Sequence, residues 1–184
     1  MAAPPVARIF GKEVLAKDLV AEADLNASKK MGADLAKWTK ETQCEALRSR
    51  VWAAVFDDYM KKYRLEPSKA EIEGCARSMQ AASNDIPETR GLPLDIEFAT
   101  MAVRNWKRDA ALYREYGGRM IFQQFGLEPI DAWRKVLEKY EAEKAFVVTD
   151  PALKECVYAY FKQRFLEVGS EDVKDFLSRA PLCR

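Results

Sequence analysis

Histidine is absent from all 184 residues. Without imidazole there is no Ser-His-Asp or Cys-His nucleophile system, no HExxH zinc site and no imidazole proton relay. Carboxylate, lysine or tyrosine chemistry remains open, but acidic pairs such as Asp57-Asp58 and Glu71/Glu73 lack partners that would define a catalytic site. They read as solvated faces, and the expectation is a protein that is not an enzyme and holds neither cofactor nor metal. The four cysteines form no CxxC and no metal-ligand spacing. No run of about 18 apolar residues is present, so no membrane span is expected. An excess of one charge is also missing. The formal net charge is +1, and basic pieces such as "RNWKRD" and "SKKMG" are balanced by nearby acids, so nucleic acid is not an expected partner. The opening "MAAPPVARIF" lacks the basic and apolar regions of a secretion signal. It reads either as a cytosolic start or as a mature exported chain given a methionine.

What is present is a folded composition, 48% hydrophobic and 32% charged, in a chain long enough to bury a core. A short β-prone hairpin, "VARIFGKEVLAKDL", opens it around Gly11-Lys12. From Trp38 to Tyr63, Leu47, Val51, Val55 and Tyr59, flanked by Trp52 and Phe56, make an apolar stripe at helical spacing. Pro67 stops that helix, and Ser68 with Glu71 forms an S-x-x-E capping box for a second one reaching about Ala82. "SNDIPETRGLPLD" is the clearest linker. A long helix is expected from Asp95 to Phe125, another from Ile130 to Ala142, then the extended "AFVV". A helix capped by Thr149 or Asp150 with Pro151 in its first turn follows, and a last one opens at Ser170. The chain reads as mainly α.

"EYGGRMIFQQFG" (residues 115–126) resembles a glycine-rich loop but fits neither phosphate motif, since both need a preceding strand. Leu112, Tyr116, Met120 and Gln123 or Gln124 continue the helical step through the glycines. The expectation is one bent helix, with Gly117 packed closely against a neighbour and Gly118 permitting the bend. Arg119 would pair with Glu115 one turn earlier, or join Gln123 and Gln124 in facing a groove. Cys44 and Cys75 fall on apolar helical rows and read as core residues, while a Cys156–Cys183 disulfide is left open. Most of the aromatics belong in the core. Trp106 and Tyr160 are harder to bury, and an exposed aromatic surface would suit apolar peptide or a partner protein.

Taken in order, the first half resembles the N-terminal domain of SurA-type periplasmic chaperones and related parvulin-family proteins. The resemblance is carried by "VARIFGKEVLAKDL", "LRSRVWAAVFDDYMKKYRLEPSKAEIEGCARSM" and, later, "KAFVVTDPALKECVYAYF", a short strand before a returning helix that closes such domains. The family pattern has asparagine where Phe10 stands and glycine where Arg64 stands. Nothing resembles the parvulin isomerase domain. The resemblance implies a SurA-N-like, trigger-factor-type chaperone domain, multi-helical, with a small N-terminal β-hairpin and one additional short strand. The expected organisation is a single domain over 1–184: a SurA-N-like core over 6–82, a linker at 83–95, a helical elaboration over 96–145, and closing strand and helices over 146–184.

The function this implies is binding of non-native or extended polypeptide through an apolar, aromatic-rich groove, without prolyl isomerase activity. The peptide-binding candidates are Trp106, Tyr113, Tyr116, Arg119, Gln123 and Trp133. By the resemblance the compartment is the periplasm, with cytoplasm as the alternative. The rival reading is a dedicated interaction subunit or homodimeric scaffold with one specific partner. A small-molecule site would instead require a closed polar pocket around Arg119, Gln123 and Gln124.

Overall fold

The computed structural model describes residues 4–32, 34–85, 91, 93, 95–123, 126–180 and 183. Among these the protein is mainly helical, with a few short antiparallel strands. The chain forms two compact units, both discontinuous in sequence: residues 1–57 with 134–164, and residues 58–133 with 165–184. Two of the three boundaries fall inside helices, and the described residues of 83–95 belong to the second unit.

In the first unit, β1 (Ala7–Ile9) pairs antiparallel with both β2 (Lys12–Val14) and β5 (Phe146–Val148), Ala7 lying opposite Val14 on one side and Val148 on the other. The "AFVV" segment therefore closes back onto the opening hairpin. The hairpin turn places Phe10 at φ +45°, a left-handed conformation that asparagine or glycine adopts more readily than an aromatic residue. A 3₁₀ turn (Ala16–Leu19) and α1 (Glu22–Lys30) follow, then the first part of α2 (Leu35–Lys62). Leu47, Val51 and Val55 are fully buried, which is the stripe the sequence predicts. α6 (Pro151–Ala159) starts with Asp150 accepting from the amides of Ala152 and Leu153, and Pro151 occupies the first turn where no donor is needed. Trp52 stacks on Phe161 at 5.2 Å and donates its Nε1–H to the Val157 carbonyl at 3.2 Å, so these aromatics are interior. Cys44 of α2 is bonded to Cys156 of α6.

The second unit opens on the last turn of α2, where Arg64 takes φ +54° as the helix ends. α3 (Lys69–Asn84) begins with the full capping box: Ser68 Oγ accepts from the Glu71 amide, and Glu71 accepts from the Ser68 amide at 2.7 Å. α4 (Ile96–Tyr116), capped by Asp95, packs Ala99 and Val103 against Cys75 and Ala76 of α3. Cys75 is bonded to Cys183. The open question of a Cys156–Cys183 bridge is thereby answered. Both sulfurs pair instead with Cys44 and Cys75, the two cysteines read from their rows as core thiols. Helical rows report which face a cysteine is on, not which distant segment lies opposite it.

The long helix expected through residue 125 stops at Tyr116. Gly117 (φ +59°) and Gly118 (φ +101°) turn the chain out of the helix, and β3 (Ile121–Gln123) and β4 (Gly126–Glu128) form an antiparallel hairpin with Phe122 opposite Leu127. This hairpin adds two strands beyond the one extra strand expected. A close approach does exist, at Gly118 rather than Gly117: a β-carbon there would lie 2.5 Å from the Asp131 β-carbon on α5 (Ile130–Ala142). The sequence misled because Met120 satisfies both periods. It continues the helical step from Tyr116, and it also opens the apolar run Met120-Ile121-Phe122, which fits a strand as well as a helix. α7 (Ser170–Ser178) completes the unit. No helix among the described residues is long and apolar enough to cross a membrane.

Candidate functional site

The site is built on α4, which carries Met101, Ala102, Asn105, Trp106 and Asp109 at helical spacing. With Phe98, Gly126, Leu127, Phe176 and Ala180 they enclose a mostly apolar cavity of about 80 Å³. α7 closes one wall through its C-terminal end. The last carbonyls of a helix have no partner within it. Here Trp106 Nε1–H donates to Phe176 O at 2.7 Å and Arg114 Nη2 donates to Leu177 O at 2.8 Å. Two α4 side chains thus satisfy α7's free carbonyls, and the arginine also complements its negative end. Below them, Val173 and Phe176 pack with Ala110 and Met120, and Trp106, Tyr113, Leu127 and Val168 surround this cluster.

Asp109 lies at the inner end of the cavity. Its carboxylate is buried, and burial pushes its pKa up against the opposing pull of Arg108. Arg108 grips it through Nε (2.7 Å) and Nη2 (2.9 Å), and Trp133 Nε1–H donates to it at 2.7 Å. The guanidinium also stands 5.4 Å from the Trp133 ring centre, within cation–π range. Every charge in this group is matched, which suits a structural role. Among the described residues no cluster of three or more acidic or cysteine side chains is arranged to hold a metal ion.

The hairpin supplies the other wall. The segment after α6 adds to it: Phe122 N–H donates to Leu166 O at 3.1 Å and Val168 N–H to Met120 O at 3.0 Å. Cross-strand neighbours share a face, so Leu166, Phe122 and Leu127 point to the same side. Leu127 is drawn into the cluster over α7, while Phe122 and Leu166 overhang it, 57% and 74% exposed. Beneath the overhang lies an open hollow of about 480 Å³, lined also by Asp172 and Asp175 of α7. It shares Gly126, Leu127 and Phe176 with the smaller cavity as lining residues.

Of the six sequence candidates, Trp106 lines the smaller cavity and Tyr113 packs against the Val173–Phe176 cluster, both half-buried. Tyr116 is half-buried at the end of α4, and Gln123 is half-buried at the end of β3. Arg119 does not pair with Glu115, which instead accepts from Tyr59 at 2.8 Å. Its guanidinium clasps Asp131 through Nε and Nη2 (3.0 and 2.9 Å) and reaches Glu167 at 3.4 Å, and its amide donates to Asp131 at 2.8 Å. The two carboxylates raise its pKa further above the ordinary arginine value. Arg119 therefore fastens the hairpin to α5 from exposed surface. Trp133 is corrected more sharply: it is 6% exposed, a core ring whose only polar atom is committed to Asp109. Gln124 lies outside the described residues. Sequence reasoning missed Phe122, Leu127 and Leu166. Their signal in the sequence is weak: Leu166-Glu167-Val168 alternates over three residues only, and Ile121 between Met120 and Phe122 hides the strand period there.

Comparison with protein-family models, curated proteins and solved structures yields no match.

Proposed function

We propose that this protein is a SurA-like chaperone module that holds non-native or extended polypeptide, without prolyl isomerase activity or other catalysis. The carrying observation is the open apolar hollow along β4, with Phe122 and Leu166 projecting over it. Soluble domains rarely leave two large apolar side chains over an open hollow unless something covers them. Apolar contact tolerates many sequences, as a holding activity requires.

The resemblance to SurA-type N-terminal domains is supported by two backbone facts. At the positions where the family pattern has asparagine and glycine, Phe10 and Arg64 take left-handed φ. The strand after α5 also returns to pair with the opening hairpin, as the resemblance implies. Two disulfides, with no cysteine left free among the described residues, favour an oxidising compartment. Of the two locations considered, the periplasm fits better than the cytoplasm.

The test is suppression of aggregation of several unrelated unfolded proteins. The expected result is suppression by the wild-type protein and its loss in Phe122→Ala/Leu166→Ala, whose thermal midpoint stays unchanged. A single stoichiometric partner with no suppression would favour the dedicated interaction subunit. That alternative draws on a second hollow, of about 810 Å³, lined by Met79, Ile96 and Phe98 near the start of α4, with Ile96 and Met101 exposed.

A further inference from the structure

The hairpin's hydrogen bonds show which edge of it is open. Phe122 N–H and Met120 O turn toward residues 166–168, away from β4. In an antiparallel ladder, a residue's N–H and C=O point to the same side, and successive residues alternate. Phe122 opposite Leu127 is therefore a pair that exchanges no hydrogen bonds. It follows that the N–H and C=O of Leu127 point outward, along the edge of β4 away from β3. Among the described residues no hydrogen bond reaches either group.

Exposed strand edges are ordinarily blunted by lysine, proline or a bulge. β4 reads Gly-Leu-Glu and has none of these within it. Its residues Gly126 and Leu127 instead line the open hollow. The charged residues lining that hollow are both acidic, Asp172 and Asp175. We propose that β4 receives an extended segment of bound polypeptide as an added strand, joined through the Leu127 N–H and C=O. Apolar side chains at alternate positions enter the hollow, and a lysine or arginine at the next inward position meets Asp172 and Asp175. This rests on the holding function above and narrows it to one binding mode and one class of segment: apolar at alternate positions, ending in a cation.

The geometry also says which peptide amides matter. A residue opposite Leu127 shares its inward face and exchanges both hydrogen bonds with it. In a peptide containing Leu-Ser-Leu-Ser-Lys, the leucine amides therefore face β4 and the serine amides face away. Fluorescence anisotropy with labelled peptides separates these. N-methylation of the leucine amides is expected to weaken binding about tenfold or more, while N-methylation of the serine amides changes it less than about twofold. Replacing the peptide lysine by glutamate weakens binding to the wild-type protein, and Asp172→Asn/Asp175→Asn removes most of that difference.

Equal effects of the two methylation patterns would overturn strand addition and leave apolar holding in place. Glutamate binding as well as lysine would overturn the charge selection. If no such peptide binds while unfolded proteins are still held, the β4 site is wrong and the holding function stands. If unfolded proteins are not held either, both fall.

Discussion

The two units use similar residues differently. Each carries a short antiparallel sheet, a disulfide joining distant segments, and a set of aromatic side chains. In the first, β1 is paired on both sides in the order β2-β1-β5, and Trp52, Phe56, Tyr160 and Phe161 pack mainly on one another. In the second, the hairpin leaves the outer edge of β4 open, and Phe122 and Leu166 stand over a hollow. Aromatic content alone therefore does not locate a binding surface. What separates the units is the setting of the exposed apolar side chains: in the second, Phe122 and Leu166 border an open hollow.

The disulfides should give the largest and most even effects. Cys44–Cys156 and Cys75–Cys183 span 112 and 108 residues. On the chain-entropy account, removing either one costs about 2–5 kcal/mol, and the two should differ by less than about 1 kcal/mol. Urea unfolding of Cys44→Ala/Cys156→Ala and Cys75→Ala/Cys183→Ala checks this. A much larger loss for one pair would show that one unit depends more heavily on its cross-link.

Gly118→Ala should follow, at about 1–3 kcal/mol, because the new methyl meets Asp131 and the residue must hold φ +101°. Unchanged urea midpoints would refute the close approach. Trp106→Phe should cost about 1 kcal/mol by leaving the Phe176 carbonyl without its indole donor. Its effect should lie mainly on unfolding, since the ring is as much a clamp on α7 as a wall of the smaller cavity.

The smallest effect is electrostatic. Glu71 has a lowered pKa, chiefly through the Ser68 amide and then through Lys107 at 2.9 Å. A carboxylate with a depressed folded-state pKa adds stability above its unfolded value, and that stability is lost as pH falls through the folded value. Glu71→Gln should therefore cost a few tenths of a kcal/mol near neutrality, given its exposure. Its stability should converge on the wild type as the solution is acidified below about pH 4. A constant offset at all pH values would point to packing instead.

Much of this fold is legible in the sequence. The α2 stripe, the Ser68–Glu71 box, the Asp150-Pro151 start and the 130–142 helix all rest on local chemistry, and local chemistry survives tertiary context. The hairpin after α4 was not legible, because paired glycines between two apolar stretches fit either a bend or a stop. What decides is Asp131, brought beside Gly118 from thirteen residues later, and its contact with Arg119. Disulfide partners more than 100 residues apart are equally non-local. For the site, the sequence names Trp106 and Tyr113, which are half-buried beside α7, and takes the buried Trp133 for surface. A buried carboxylate able to accept the indole N–H gives no signal in spacing.

The most direct measurement is amide hydrogen exchange with and without an unfolded polypeptide. Protection is expected at Gly126–Glu128, above all at the outward Leu127 amide, and around α7, with β1, β2 and β5 unchanged. Protection confined to the first unit, or none in the second when polypeptide is bound, would contradict the account.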